Sequence, residues 1–130
     1  MAREHTVLIV TDDPELARVA AAAAEENGAE GVSVASFDEA VSVAEGQEIT
    51  MAVIDLDLSD DDGWKATEEF RRLYFRRPLQ VLLCSENCEA EFAAAALNAG
   101  GDDFLGKPVD ELQMNVRLRA ATIRLRHQTD

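Results

Sequence analysis

The sequence predicts one α/β domain, in which helices cover both faces of an open, five-stranded parallel sheet. Short aliphatic runs alternate with longer amphipathic stretches from one end of the chain to the other, which is the pattern of five strand and helix pairs. Three of the runs are almost wholly apolar, as expected of parallel strands that are buried on both faces. Regular alternation of this kind implies right-handed crossovers and a doubly wound sheet.

The predicted elements follow one another without long gaps. The strands cover residues 6–10, 31–35, 50–55, 79–84 and 102–105, and the helices cover residues 14–27, 37–45, 63–75, 89–99 and 110–127. Pro14 suits the first turn of a helix, and Asn27 with Gly28 suits a left-handed helix end. Apolar residues recur at helical spacing in the first helix and predict that one face of it points inward. These residues are Leu16, Val19, Ala20 and Ala23.

Composition narrows the possible functions. The chain has 130 residues, 47% of them hydrophobic, which is enough for one continuous core. Its formal net charge of -14 argues against direct binding to nucleic acid, which requires a basic surface. The sequence shows no secretory signal and no apolar run near the roughly 20 residues that cross a bilayer. We therefore expect a cytoplasmic protein without membrane contact, in which Cys84 and Cys88 are reduced thiols.

Polar residues fall at the carboxyl ends of four predicted strands, which is where open α/β sheets form their sites. They are Asp12 and Asp13, Asp55 and Asp57, Ser85, and Lys107. Three or more carboxylates at one edge repel one another, by about 3–4 kcal/mol per close pair at an effective dielectric near 20. A cation must therefore neutralise them. An all-oxygen site with few ligands predicts Mg²⁺, or Mn²⁺ in its place.

This set of groups predicts phosphoryl transfer. One carboxylate would attack a phosphoryl donor, the metal and Lys107 would hold the developing charge, and the hydroxyl of Ser85 would bond a phosphoryl oxygen. Each group also has a purely structural interpretation. Asp12 and Asp13 would then support a helix start, with Asp13 as its cap, and residues 60–62 would form a solvated acidic turn. Because complementary groups fall at four strand ends, we favour the phosphoryl-transfer site over the structural interpretation.

The sequence resembles the receiver domains of two-component response regulators, of which the chemotaxis regulators are an example. The matching segments are residues 7–14, 52–64, 81–85 and 99–108. The resemblance implies a flavodoxin-like sheet of order 2-1-3-4-5 and one receiver domain over residues 1–130. The Arg-rich end also resembles a helix that runs into a linker, so this domain is interpreted either as a whole protein or as an excised piece of a longer one.

The resemblance implies a signalling switch rather than an enzyme, with only its own phosphorylation and dephosphorylation as reactions. The implied roles are Asp55 as phosphoacceptor, Asp12, Asp55 and the carbonyl of Asp57 as metal ligands, Ser85 and Phe104 as switch residues, and Lys107 as phosphate contact. Mg²⁺ is the implied cofactor. A sensor histidine kinase or phosphotransfer protein would supply the phosphoryl group, and an output domain or protein would read the state. An aromatic residue such as Phe104 is also a common core residue.

Two positions depart from the family pattern. The family usually has an acidic residue before the metal-binding Asp12, where this chain has Thr11, so a charge that helps to hold the cation is missing. Asp57 lies on the same side of an extended segment as Asp55, and we hypothesise that its side chain restores that charge. Glu86 stands where a small residue is usual, and at about 6 Å it would cost roughly 2–3 kcal/mol per charge pair with a phosphoryl group. We expect phosphorylation to be slow, donor-selective or lost.

Two other functions fit the same residues. Thr11 and Glu86 are also expected in a pseudo-receiver, a binding module that works without phosphorylation. The Asp-Leu-Asp run at residues 55–57, followed by Ser85 and Lys107, is similar to haloacid-dehalogenase-type phosphatases. That class, however, places its acidic pair after the lysine, whereas the acidic pair of this chain comes near the start.

Charges near the end of the chain suggest a contact between two copies. The last helix carries Arg117, Arg119, Arg124 and Arg126, whereas the fourth helix and fifth strand carry Glu89, Glu91, Asp102 and Asp103. Because these faces have opposite signs, one interpretation is a homodimer through the fourth helix, fifth strand and fifth helix, and the other is a solvated basic face. Receivers of the winged-helix transcription factor class pair in the first way.

Overall fold

Five strands and five helices alternate along the chain, as predicted, in a computed structural model that describes residues 4–128. The strands are β1 Thr6–Val10, β2 Glu30–Val34, β3 Met51–Asp55, β4 Gln80–Ser85 and β5 Asp103–Gly106. The helices are α1 Pro14–Glu26, α2 Phe37–Gly46, α3 Asp62–Leu73, α4 Ala90–Ala99 and α5 Glu111–Gln128, with a 3₁₀ turn at Ser59–Asp61 before α3. The predicted bounds are confirmed to within about two residues, the usual uncertainty of helix and strand ends.

The strands form one parallel sheet in the order β2-β1-β3-β4-β5, which confirms the predicted topology. The order reverses between β1 and β3, and such a reversal opens a crevice beyond the carboxyl ends of these two strands. Every residue of β3 and β4 is buried. The apolar character of these two runs therefore has the cause that the sequence suggested, burial on both faces of the sheet.

The core consists of two layers, one on each face of the sheet. Val7 and Ile9 of β1 pack in the layer beneath α1 and α5, whereas Leu8 and Val10 pack in the layer beneath α2, α3 and α4. Successive side chains of a strand point to opposite faces, so a run of four apolar residues serves both layers. Among the helices of residues 4–128, none has the length and the apolar character to span a bilayer.

The start of α1 confirms two predictions. Asp13 caps the helix, because its carboxylate accepts hydrogen bonds from the amides of Glu15 and Leu16 at 3.0 and 3.3 Å. The predicted inward face is also correct, since Leu16, Val19, Ala20 and Ala23 are all buried. The helix therefore begins directly after the end of β1, and this fixes the position of residues 11–13 between them.

The acidic turn before α3 is solvated only in part. Asp60 and Asp61 are exposed and adopt left-handed backbone, with φ values of 60° and 57°. Asp62, however, is not a solvated turn residue, because its carboxylate accepts a hydrogen bond from the amide of Phe37 at 3.0 Å. It joins the first residue of α2 to the first residue of α3.

The beginning of α3 lies directly against the backbone at the end of β3. A Cβ atom at Gly63 would stand 2.2 Å from the carbonyl oxygen of Asp55 and 3.0 Å from the Cα of Leu56. Both neighbours are backbone atoms, which cannot rotate away as a side chain end would. Only glycine permits this approach, and the approach keeps the loop after Asp55 close to the sheet.

We expect Gly63→Ala to lower the free energy of unfolding by about 1–3 kcal/mol, the usual cost of an overpacked methyl group. Urea unfolding measures this change. Gly46→Ala is the control, because nothing lies within 4 Å of the position of its Cβ, and its effect should stay within about 0.5 kcal/mol. Equal effects of the two substitutions would contradict the close approach at Gly63.

Candidate functional site

The carboxyl edge of the sheet brings four predicted residues to one place. Asp55 ends β3 and is 1% exposed, and Ser85 ends β4 and is fully buried. Lys107 directly follows β5, and Thr11 directly follows β1 with 5% of its surface exposed. These residues are far apart in the chain. They meet because parallel strands all end at the same edge.

The carboxylate of Asp55 is held by three hydrogen bonds. Its Oδ2 accepts from the hydroxyl of Thr11 at 2.6 Å and from the ammonium of Lys107 at 2.8 Å. Its Oδ1 accepts from the amide of Asp57 at 2.8 Å. A carboxylate offers about four lone-pair positions, so these three bonds leave one position open, and it is on Oδ1.

The carboxylate of Asp57 lies beside that of Asp55 and has its own donors. Its Oδ1 accepts from the hydroxyl of Ser85 at 2.7 Å, and its Oδ2 accepts from the amide of Glu86 at 2.8 Å and pairs with Lys107 at 3.2 Å. Partial burial opposes ionisation, but these contacts outweigh it and lower the pKa of Asp57 below its usual value. Asp57 is therefore a carboxylate at neutral pH.

Lys107 is the cation that these acids share. Its ammonium lies 2.8 Å from Asp55, 3.2 Å from Asp57 and 3.9 Å from Asp13, and its side chain is only 10% exposed. Burial opposes the charge, but hydrogen bonds and charge attraction from Asp55 and Asp57 outweigh burial and raise the pKa of Lys107. The lysine stays protonated and neutralises part of the negative charge at this edge.

The predicted metal ligand Asp12 stands apart from this network. It is exposed, and within residues 4–128 its carboxylate makes no hydrogen bond or ion pair. The described part of the chain also contains no ready cluster of three acidic, histidine or cysteine side chains for a metal. The donor chemistry nevertheless fits Mg²⁺, because this ion is usually held by one or two carboxylates together with water and phosphate. Asp12 and the open position of Asp55 would be the ligands for such an ion.

The two atypical positions, Thr11 and Glu86, each donate a hydrogen bond to a carboxylate of the site. Thr11 replaces an acid with a donor, since its hydroxyl bonds Asp55 and also accepts from the amide of Asp13 at 2.9 Å. Glu86 is exposed, and its amide donates a hydrogen bond to Asp57 at 2.8 Å. A threonine after a strand suggests a hydroxyl donor, but no side-chain pattern indicates that the amide of residue 86 is a donor.

Three aromatic rings form a continuous row from β5 through α4 to α3. Phe104 of β5 is partly buried, and its ring lies 6.2 Å from that of Phe92 of α4 at an interplanar angle of 71°. The Phe92 ring lies 5.5 Å from that of Trp64 of α3 at 81°. Both contacts are edge-to-face, the arrangement that aromatic quadrupoles favour. A movement of Phe104 would therefore reach Trp64 through one intervening ring.

Two acids of the predicted homodimer surface already have partners in the same chain. Arg117 binds Asp103 at 3.0 Å, and Arg71 pairs with Asp102. Asp102 also accepts from the amide of Val81 at 2.8 Å. The homodimer through α4, β5 and α5 stays a prediction, and these two acids are not free to form it without giving up internal contacts.

The fold and this group of residues define a receiver-type signalling domain. Residues 7–119 match the family model for the response regulator receiver domain. The chain belongs to the response regulator receiver domain family, and within the two-component systems it is a signalling domain, not a typical enzyme. This assignment favours the receiver interpretation over the haloacid-dehalogenase-type phosphatase.

Similar proteins include a transcriptional regulator and a sensor kinase, each matched over only part of its length. The probable transcriptional regulatory protein TcrX of Mycobacterium tuberculosis is 33% identical over 88% of this chain and 48% of its own length. The sensor histidine kinase GacS of Pseudomonas protegens is 28% identical over 97% of this chain and 14% of its length. This chain thus spans about half the length of TcrX.

A solved structure has the same fold. The receiver domain of the Francisella response regulator 1452 superposes with a TM-score of 0.81 and 24% identity, over 93% of this chain and 98% of that one. The parallel sheet and its helices are therefore those of a receiver domain.

We expect the two cysteines to differ strongly in reactivity. Neither forms a disulfide within residues 4–128, as predicted. Cys84 is buried in β4, and burial, together with the charge of Asp55, raises its pKa to about 12, whereas Cys88 is exposed. A chromogenic disulfide reagent at about pH 8 should therefore titrate one thiol in the folded protein and two after unfolding. Rapid reaction of Cys88→Ser in the folded state would contradict the burial of Cys84.

Proposed function

We propose that the chain is a phosphoacceptor switch that takes a phosphoryl group on Asp55, with Mg²⁺ as cofactor, and passes the state to a partner through Ser85 and Phe104. The observation that carries this proposal is the environment of Asp55. Its carboxylate is almost fully buried and bonded to Lys107, and keeps one open position on Oδ1 at the carboxyl edge of the sheet. A buried carboxylate with a lysine and an open oxygen is suited to act as a nucleophile.

The transfer needs few groups from the protein. A carboxylate oxygen of Asp55 forms the new bond to phosphorus while the bond from phosphorus to the donor breaks, and the leaving group keeps that electron pair. Lys107 holds a positive charge next to the acceptor, where charge builds up on the phosphoryl oxygens. The hydroxyl of Ser85 and the amide of Glu86 are the further donors at this edge.

The cofactor has candidate ligands in this chain. Asp12, Asp55 and the carbonyl of Asp57 would hold Mg²⁺, or Mn²⁺ in its place, and the bound ion would neutralise charge on the acceptor and the phosphoryl group. The neutral Thr11 leaves this set with one acid fewer than the family usually has. That the Asp57 carboxylate supplies the missing charge stays a prediction; in the structure this carboxylate contacts Ser85, the amide of Glu86 and Lys107.

The partners follow from the same proposal. The phosphoryl donor would be a phosphohistidine of a sensor histidine kinase or of a phosphotransfer protein, and an output domain or protein would read the state. Similarity to a transcriptional regulator and to part of a sensor kinase supports a place in such a pathway. The two free thiols are in keeping with a cytoplasmic location.

The central prediction concerns a single covalent change. With Mg²⁺ and acetyl phosphate, the wild type should gain the mass of one phosphoryl group, and acetate should leave, because Asp55 is the nucleophile. Intact-mass spectrometry measures the gain. Asp55→Asn is the control and should gain no mass. A wild type that gains none under the same conditions would overturn the phosphoacceptor assignment.

A second prediction concerns the aromatic rings. Phosphorylation should change the emission of Trp64, the one tryptophan of the chain, because movement of Phe104 reaches it through Phe92. Fluorescence recorded beside the mass measurement checks this. Phe104→Leu should still gain mass but lose most of the emission change. Emission that stays constant during complete phosphorylation of the wild type would rule out this coupling.

A second candidate function is a binding module that works without phosphate. The observation that favours it is that Thr11, Ser85 and Lys107 all have hydrogen-bond partners within the chain. In that case the wild type would not gain mass from acetyl phosphate. Asp55→Asn would then bind the output partner as well as the wild type does.

A further inference from the structure

Three donors converge on one point beside Asp55. They are the hydroxyl of Ser85, the amide of Glu86 and the ammonium of Lys107. One charged donor with two neutral ones is a suitable set for an oxyanion, since each can aim a hydrogen at the same oxygens. In this structure the carboxylate of Asp57 contacts all three, at 2.7, 2.8 and 3.2 Å, and shares the ammonium of Lys107 with Asp55.

We propose that the Asp57 carboxylate is an internal competitor of the phosphoryl group. It occupies the oxyanion donors next to Asp55 in the resting chain, and it has to leave them before a phosphoryl group can bind there. This inference rests on the proposed function, because it concerns the same site. It makes Asp57 a residue that sets how fast, and from which donors, Asp55 is phosphorylated.

The position of Asp57 in the chain explains why it reaches these donors. It lies two residues after Asp55, and its amide donates to Oδ1 of Asp55, which fixes its backbone beside the acceptor. Its side chain is 33% exposed, whereas that of Asp55 is 1% exposed. The Asp57 carboxylate therefore has a way to solvent by rotation of its side chain, without a change in the buried strand.

The Asp57 carboxylate and a phosphoryl group compete because both are negatively charged, as well as because they would occupy the same space. The contacts with Lys107 and with the two neutral donors favour an anion at this point. A phosphoryl group brings further negative charge to the same donors. Two anions at hydrogen-bond distance from the same three groups repel each other strongly in a partly buried site. The two states therefore exclude each other.

The first test compares rates of phosphorylation. Asp57→Ala vacates the donors, and at saturating Mg²⁺ it should gain mass from acetyl phosphate about tenfold faster than the wild type, a factor that corresponds to about 1.4 kcal/mol. Asp57→Asn keeps the shape without the charge and should fall between the two. Asp60→Asn is the matched control, because Asp60 is exposed in the same loop and asparagine tolerates its left-handed backbone. It should leave the rate within about twofold of the wild type, since surface charges are screened by salt.

The second test does not depend on phosphorylation. Inorganic phosphate is titrated into each protein without metal, and the amide resonance of Glu86 is followed by NMR. In Asp57→Ala this resonance should shift saturably at a phosphate concentration roughly tenfold lower than in the wild type, by the same free-energy conversion. The NMR spectrum also shows whether each variant is folded. Equal concentrations in the folded wild type and in folded Asp57→Ala and Asp57→Asn would overturn the competition.

The two tests separate the inference from the function on which it rests. If the wild type and all variants fail to gain mass while the titration shows the expected difference, the phosphoacceptor assignment fails and the occupation of the donors by Asp57 stands. If the wild type gains mass but the Asp57 variants are no faster, the competition is overturned and the assignment stands. A rate increase in Asp60→Asn equal to that in Asp57→Asn would also overturn it, because net charge would then be the cause.

Discussion

The ion pairs of Lys107 with Asp55 and Asp57 are the interaction on which the site depends. The fold brings both carboxylates to the same edge of the sheet, and they share one ammonium at 2.8 and 3.2 Å. Without that cation, two negative charges in a site of which one is almost fully buried would repel each other by several kcal/mol. The parallel sheet makes this pairing possible, because β5 ends where β3 ends. The ion pairs at this edge of the sheet therefore depend on the strand order.

The hydrogen bonds divide the two carboxylates into different roles. Asp55 is bonded to Thr11, to Lys107 and to the amide of Asp57, and keeps one oxygen position open. Asp57 is bonded to groups that follow β4 and β5, and it is the more exposed of the two. A buried carboxylate fixed by neighbours is a suitable acceptor, whereas a partly exposed carboxylate can be displaced toward solvent. The proposed roles of the two aspartates differ because their surroundings differ.

Much of this arrangement could be predicted from the sequence, for identifiable reasons. The strand and helix periods are strong in this chain, so the fold and the place of Asp55, Ser85 and Lys107 at strand ends followed from them. Which donor bonds which acceptor could not be predicted, because it depends on the side-chain rotamers, and a shift of about an ångström makes or breaks a hydrogen bond. Every residue except proline has a donor amide, so the sequence does not show that the amide of Glu86 is the one that bonds at the site. The hydrogen bond of Asp62 joins two helices that only the folded chain brings together.

Thr11 and Asp57 together change where the negative charge of the edge lies. A threonine at the end of β1 removes an acid from the side of Asp12, where a cation would bind, and its hydroxyl holds Asp55 in place. An acid at residue 57 puts a charge among the donors at the ends of β4 and β5. The total charge of the edge therefore differs little from that of a site with an acid before Asp12. Its distribution moves toward Ser85, the amide of Glu86 and Lys107, the donors that a phosphoryl group would use under the proposed function.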